Sequence, residues 1–230
     1  MPQLDASVLP DVPRHAKKLS KREIFSLLKK HNPLILEIGC NDGQDSQEFL
    51  QQFAKCELNC FECDPRPIAK FKAKGFDPRA KLHEVALADN NGVMTLHMSG
   101  GTTKGASMAD WDMSNSLLPP DRHLINHPWC TFDRVCNVST RRLDDWAQEF
   151  IPNRTIDFVW MDVQQAECLV FAGGQKTFLE KTQWIYTEFS TESEYVGGWL
   201  VDEMVAAFSS KFKPVGIYES YNLLLQRKCE

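Results

Sequence analysis

No stretch of this 230-residue chain approaches the ~18 consecutive apolar residues that a membrane-crossing helix needs. Its opening residues, MPQLDASVLPDVPRH, contain no apolar core of the length a secretory leader requires, so a soluble, cytoplasmic protein is expected. Runs of lysine or arginine are missing too. With a formal charge of -5, that argues against a broad nucleic-acid or anionic-membrane surface and favours a small or neutral partner. A loop-rich cysteine framework is also lacking. Of the 8 cysteines, Cys40, Cys56, Cys60, Cys63 and Cys168 lie within apolar runs, as buried reduced thiols do. His123, His127, Cys130 and Cys136 have no paired C-x-x-C among them, so no metal site is expected there. Cys60 and Cys63 do form a C-x-x-C. Within a strand, however, their side chains point to opposite faces, which makes them packing residues rather than a redox pair.

What is present is an apolar content of 43%, enough for one sizeable core, and an alternation of element types. Residues 1–18 show no periodicity and are expected to form a tail or loose arm. Ser20-Lys21-Arg22-Glu23 is a capping box, and Ile24, Leu27 and Leu28 continue a helix within 19–32 until Asn32-Pro33 ends it. From 33 to 230 a single domain is expected. LILEIG is a buried strand, Phe49, Leu50 and Phe53 mark a helix, and LNCFE is a second strand. Asp64-Pro65 starts a helix that Gly75 stops, and LHEVALA can be the third strand. Such alternation predicts a parallel sheet with helices on both faces.

After the turn Asn90-Asn91-Gly92, the alternation of Met94, Leu96 and Met98 predicts an antiparallel hairpin strand. Residues 99–132 have no sustained period, and an irregular insertion of that length marks a candidate lid. Helix Leu143 to Phe150, strand IDFVWM, a helix from Glu167 to the stop at Gly173-Gly174, strand WIYTEF and a helix through Leu200 to Phe208 follow. PVGIY and NLLLQ close the sheet as an antiparallel pair.

Two features at strand ends carry chemistry. Gly39-Cys40-Asn41-Asp42-Gly43 turns from the first strand into a helix, where free N–H groups and a bare backbone admit a polar ligand. Its G-x-x-x-G spacing lacks the third glycine of a dinucleotide fingerprint, which weakens a nicotinamide-dependent oxidoreductase. Glu62 ends the second strand about 20 residues further on, the offset at which a carboxylate accepts from ribose hydroxyls; Asp64 reads as a helix cap. Asp162 and Glu188 end the fourth and fifth strands, at the sheet edge where ligands bind in such folds. The plainer reading of Asp162 is a strand-end acid or cap. Trp111 and Trp129 lie in the irregular stretch and are candidate substrate contacts, whereas Trp146, Trp160, Trp184 and Trp199 read as core.

EIGCNDG, CFECDP, ALAD-NNG, RRLDDW, IDFVWMDVQQAE and IYTE occur in an order and spacing that resemble the FkbM-type branch of class I S-adenosylmethionine-dependent methyltransferases, over roughly residues 34–190. The resemblance implies a Rossmann-like seven-stranded sheet of order 3-2-1-4-5-7-6 with strand 7 antiparallel. It also implies methyl transfer from S-adenosylmethionine, usually to oxygen, and so a small-molecule or glycan hydroxyl as acceptor. Carried over by position, Gly39, Cys40, Asn41 and Gly43, with Glu37 beside them, would line the methionine part. Glu62 and Cys63 would flank the ribose, Val85, Ala86 and Leu87 the adenine, and Asp162 the methionine amine. For the acceptor proton, Asp162, Glu188, His123 and His127 are the candidates. Asn115-Ser116-Leu117-Leu118 resembles a serine-rich stretch of the same family. The resembled pattern has glycine where this chain has Gln165, which predicts an altered acceptor side. A cofactor-binding protein without turnover is the alternative of a different class.

Overall fold

The computed structural model describes residues 9–101 and 111–229. The expectations for residues 1–8 of the arm and 102–110 of the insertion lie outside the described residues.

Eight strands form the main sheet. Its centre is β2 (Leu34–Ile38), every residue of which is buried, flanked by β3 (Glu57–Glu62) and β8 (Ile156–Met161), both parallel to it. β4 (Ala80–Glu84) continues beyond β3, and β9 (Thr182–Glu188) beyond β8. β11 (Asn222–Arg227) runs antiparallel to both β9 and β10 (Phe212–Tyr218). From β4 to β10 the order is therefore 3-2-1-4-5-7-6, the order that the resemblance implies. One strand is added: β1 (Arg14–His15), in the segment expected to be a loose arm, pairs parallel with the edge strand β10, and His15 stacks on Tyr218 at 4.3 Å.

Side-chain alternation divides the core between two faces. Leu34, Leu36, Ile38, Val159 and Ile185 pack with α5 (Leu143–Phe150), α6 (Glu167–Lys176) and α7 (Val201–Phe208). Ile35, Leu58, Phe158, Trp160 and Tyr186 pack beneath α1 (Lys21–Leu28), α2 (Gln44–Gln52) and α3 (Pro65–Ala73). Two predicted caps form as read. The Ser20 hydroxyl accepts from the Glu23 amide while Glu23 accepts from the Ser20 amide, and Asp64 accepts from the Arg66 amide at 2.8 Å.

Three elements differ from the reading. The expected third strand splits: β4 stops at Glu84, and β5 (Ala86–Leu87) joins a second, three-stranded sheet with β7 (Cys130–Arg141) and β6 (Gly92–Gly101). β7 gave no apolar period because most of its residues are at least partly exposed. α6 does not stop at its glycines but runs to Lys176 and on through a π-helical turn, Thr177–Lys181. A Cβ at Gly173 would lie 1.9 Å from the carbonyl oxygen of Ala88, so this glycine lets the helix approach the chain after β5. Within the insertion, α4 (His123–Asn126) is one short turn. Among the described residues no helix is long and apolar enough to cross a membrane.

Candidate active site

The ends of β2, β3, β8 and β9 bring the predicted loop and acids together. Gly39 and Gly43 have φ of 82° and 81°, and Asn41 has φ of 47°. A Cβ on Gly39 would stand 1.9 Å from the carbonyl oxygen of Asp162. This glycine is thus required by the backbone of the neighbouring strand end, not only by ligand access. The amides of Gly39 and Cys40 both donate to the Phe61 carbonyl at 3.0 Å, which ties the loop to the end of β3.

Glu62 accepts three backbone N–H groups: Asn41 at 2.9 Å, and Cys63 and Asp64 at 2.8 Å each. Removal of the carboxyl from water pushes its pKa up to about 7, against the pull of those three bonds. A carboxylate offers about four acceptor positions, so one is left for a ligand hydroxyl. Cys63 is half-buried beside it, and burial pushes its thiol well up. Val85, Ala86 and Leu87 lie where the chain leaves β4 for β5, with Ala86 and Leu87 buried. Cys40 is buried and its thiol is pushed well up by a hydrogen bond to Cys60 and by burial. Glu37 points away from the loop to the α2 face. There it accepts from Ser46 Oγ at 2.5 Å, and burial pushes it up to about 8.

The corner after β8, residues 160–167, is held together by its own side chains. Gln164 Nε2 donates to Asp162 Oδ1 at 2.7 Å and to Glu188 Oε2 at 3.3 Å, bridging the two strand-end acids. Glu167, 2% exposed, accepts from the Val163 amide at 3.3 Å. Burial raises the pKa of all three: Asp162, Glu188 and Glu167, the last to about 8, with the charge of Asp162 adding to it at Glu167 and Glu188 and that of Asp45 at Asp162. Among the described residues no ion pair within 4 Å holds any of them. Lys18 of the arm is an opposing charge that holds Asp162 and Glu188 down in part, while itself pairing with Asp45 at 2.9 Å and lying 4.8 Å over the Trp160 ring.

The two histidines are placed differently. His123 is 5% exposed, packs on His127, Phe132 and Tyr195, and is pushed down to about 4 by burial, so its imidazole is neutral. No contact joins either ring to the bridged acids among the described residues. Trp111 and Trp129 meet edge to face at 4.9 Å, with Trp111 Nε1 donating to Ser114 Oγ.

The Asn115-Ser116-Leu117-Leu118 stretch takes its role from its contacts. Arg66 forms a bidentate pair with the fully buried Asp64 and also donates to Asn115 Oδ1 at 3.0 Å. Asn115 Nδ2 donates back to Asp64 at 2.8 Å, Ser116 Oγ donates to the Gln164 carbonyl at 2.8 Å, and Asn41 Nδ2 donates to the Asp112 carbonyl at 3.3 Å. The insertion is therefore fastened at once to the glycine loop, the start of α3 and the β8 corner. The presence of polar residues at 112–116 was visible in the sequence. Their partners, dozens of residues away, were not.

A cluster of buried acids with no ion pair within 4 Å among the described residues fits a ligand that brings positive charge, and the loop beside it, with one acceptor position free on Glu62, fits a ribose. S-adenosylmethionine carries a sulfonium, an ammonium and a ribose, so the residues present fit it. Sheet order and strand-end chemistry together define an S-adenosylmethionine-dependent methyltransferase of class I. A family model, the methyltransferase FkbM domain, matches residues 37–212, and the chain belongs to that family. It is 47% identical over 177 residues to 2-O-methyltransferase NoeI of Sinorhizobium fredii, which covers 76% of this chain and 71% of the relative. Among solved structures, a candidate rRNA methylase from Clostridium thermocellum shares the fold, with a TM-score of 0.51, 8% identity and coverage of 93% of this chain and 99% of its own. A fibrillarin from Methanococcus jannaschii aligns with a TM-score of 0.48 at 10% identity, over 87% of this chain and 69% of its own.

Proposed function

We propose that the protein is an O-methyltransferase whose acceptor is a sugar-like hydroxyl corresponding to position 2, on a small molecule or glycan rather than a nucleic acid, acting in the cytoplasm. The observation that carries this is the Asp162–Gln164–Glu188 bridge: two acids of raised proton affinity, held side by side at the strand ends. The 2-O-methyltransferase relative and the net charge of -5 support the choice of acceptor.

When bound, S-adenosylmethionine supplies an already activated methyl group. Gly39, Cys40, Asn41 and Gly43 would hold its methionine part, with Asp162 toward the ammonium. Glu62 and Cys63 would hold the ribose, and Val85, Ala86 and Leu87 would border the adenine. Glu37, turned toward Ser46, would act behind the loop. What the chain must still do is align the acceptor oxygen, exclude water and remove a proton. A hydroxyl proton passes from the acceptor oxygen to the Asp162 and Glu188 pair, whose titrations are linked because the charge of Asp162 raises Glu188. His123, neutral and enclosed by rings, and His127 packed against it at a tilt would shape the surrounding wall rather than take the proton.

The test is transfer of labelled methyl groups from S-adenosylmethionine to a panel of methyl hexopyranosides and their 2-deoxy counterparts. Labelling of the former alone is expected. Labelling of RNA, or equal labelling of the 2-deoxy sugars, would overturn the acceptor, and S-adenosylmethionine binding without transfer to any acceptor would point to a binding protein instead.

A further inference from the structure

Gln165 occupies a backbone conformation that favours glycine, with φ of 61° directly after Gln164 at 54°. A side chain kept in that conformation calls for a reason in its contacts. Gln165 is 8% exposed and uses its whole amide on another part of the chain. Nε2 donates to the Glu192 carbonyl at 2.9 Å and to the Trp199 carbonyl at 3.2 Å, and Oε1 accepts from the Tyr195 amide at 2.9 Å. Its Cβ lies where a Cβ on Gly198 would come within 2.6 Å, so the segment is seated directly on this side chain.

The segment in turn carries the insertion. Tyr195 is buried, its hydroxyl donates to the Ser114 carbonyl at 2.7 Å, and the Val196 amide donates to Pro119 at 2.9 Å. Two irregular stretches, 111–121 after β6 and 190–200 after β9, thus join into one wall. That wall is fixed to the β8 corner through Gln165 and, by Ser116, through the Gln164 carbonyl. The glycine loop and Glu62 stand at the ends of β2 and β3, across β8 from β9 in the sheet, and the wall touches that loop through Asp112, not through the 190–200 segment that Gln165 holds.

We propose that Gln165 is a positioning residue for the acceptor: its amide clamps the 190–200 segment into a wall that fixes acceptor size and orientation, while leaving the cofactor subsite unchanged. This rests on the reading of the protein as a methyltransferase of a sugar-like hydroxyl. The clamp needs two donors and one acceptor, which only a carboxamide of this length supplies. Glutamate would set a carboxylate against two carbonyl oxygens.

Three measurements test it. Hydrogen exchange of the ligand-free protein should show amides 192–199 exchanging at least ~10-fold faster in Gln165→Ala, as breaking several local hydrogen bonds permits. Calorimetry should give an S-adenosylhomocysteine affinity within ~2-fold of the unaltered protein, because no bond of Glu62 or of the glycine loop is touched. With methyl hexopyranosides, KM should rise ~10-fold or more with kcat held within a few-fold, the pattern of lost uniform binding. Gln165→Glu should copy the alanine variant at pH 7.5 and recover part of the KM near pH 5, where a protonated carboxyl regains a donor. Tyr195→Phe, which cuts the outer link, should raise KM and be non-additive with Gln165→Ala. If no pyranoside is methylated, the exchange and calorimetry arms still decide the clamp, and that failure belongs to the acceptor reading. Unchanged exchange at 192–199, or a loss of S-adenosylhomocysteine affinity as large as the rise in KM, would overturn the proposal.

Discussion

Replacing Glu167 by glutamine should stabilise the ligand-free protein above neutral pH and leave it nearly unchanged in acid. The carboxyl is 2% exposed, its Oε1 accepts from the Val163 amide, and burial foremost, then the charge of Asp162, pushes its pKa from 4.5 to about 8. A group that holds its proton more tightly when folded gives stability that is present below pH 4.5 and is lost as pH rises toward 8, because the folded state then binds the extra proton. The gap of about 3.5 units is on the order of 5 kcal/mol at full ionisation, at ~1.4 kcal/mol per unit. Glutamine keeps the acceptor for Val163 and carries no charge. Guanidinium melts of both proteins at pH 5, 7 and 8.5 measure the difference, which should grow from under ~1 kcal/mol to several kcal/mol. Asp162, Glu188 and Glu37 titrate in both proteins and largely cancel. Saturating S-adenosylmethionine should narrow the gap by supplying the missing positive charge. Parallel pH curves, or a variant less stable at pH 8.5, would refute the picture of an uncompensated acid cluster.

Glu62→Ala should weaken S-adenosylhomocysteine binding by at least ~1 kcal/mol, as loss of a hydrogen bond to a charged group does, and calorimetry showing an unchanged Kd would remove Glu62 from the site. Gly39→Ala places a Cβ 1.9 Å from the Asp162 carbonyl oxygen and should cost ~3 kcal/mol or more of stability; a wild-type melting temperature would show that the corner yields. Asp162→Asn and Glu188→Gln should each lower kcat by about 10²–10⁴-fold and change the acid limb of its pH profile. An unaltered pH profile in both variants would exclude the pair as the proton acceptor.

Much of the fold was legible because its signals are local. Capping residues at Ser20 and Asp64, a short buried strand at Leu34–Ile38 and the alternation of strands with amphipathic helices act within a turn or two of chain. The candidate site was legible in part for the same reason: Gly39 to Gly43, Glu62, Asp162 and Glu188 all stand at strand ends, where chain order alone puts them on one edge of a parallel sheet. Strand β7 escaped because its ribbon has so little buried face that no period of two appears in its apolar residues.

What only the tertiary structure decided is which groups meet. The glycines at 39 and 173 both looked like turn or stop signals, yet each is small because another backbone passes beneath 2 Å from where its Cβ would be. Of the two glutamines of the β8 corner, Gln165 stands where the resembled pattern has glycine. One bridges Asp162 to Glu188, and the other holds the segment around Tyr195. Gln164 reaches 24 positions along the chain to Glu188, and Gln165 reaches 27 to 34 positions to Glu192, Tyr195 and Trp199. The sequence by itself determined the order of elements and the acids at their ends, because propensity and periodicity are properties of neighbouring residues. The proton affinity of those acids and the shape of the wall beside them arise from burial and pairing, which exist only once the sheet has brought distant strand ends together.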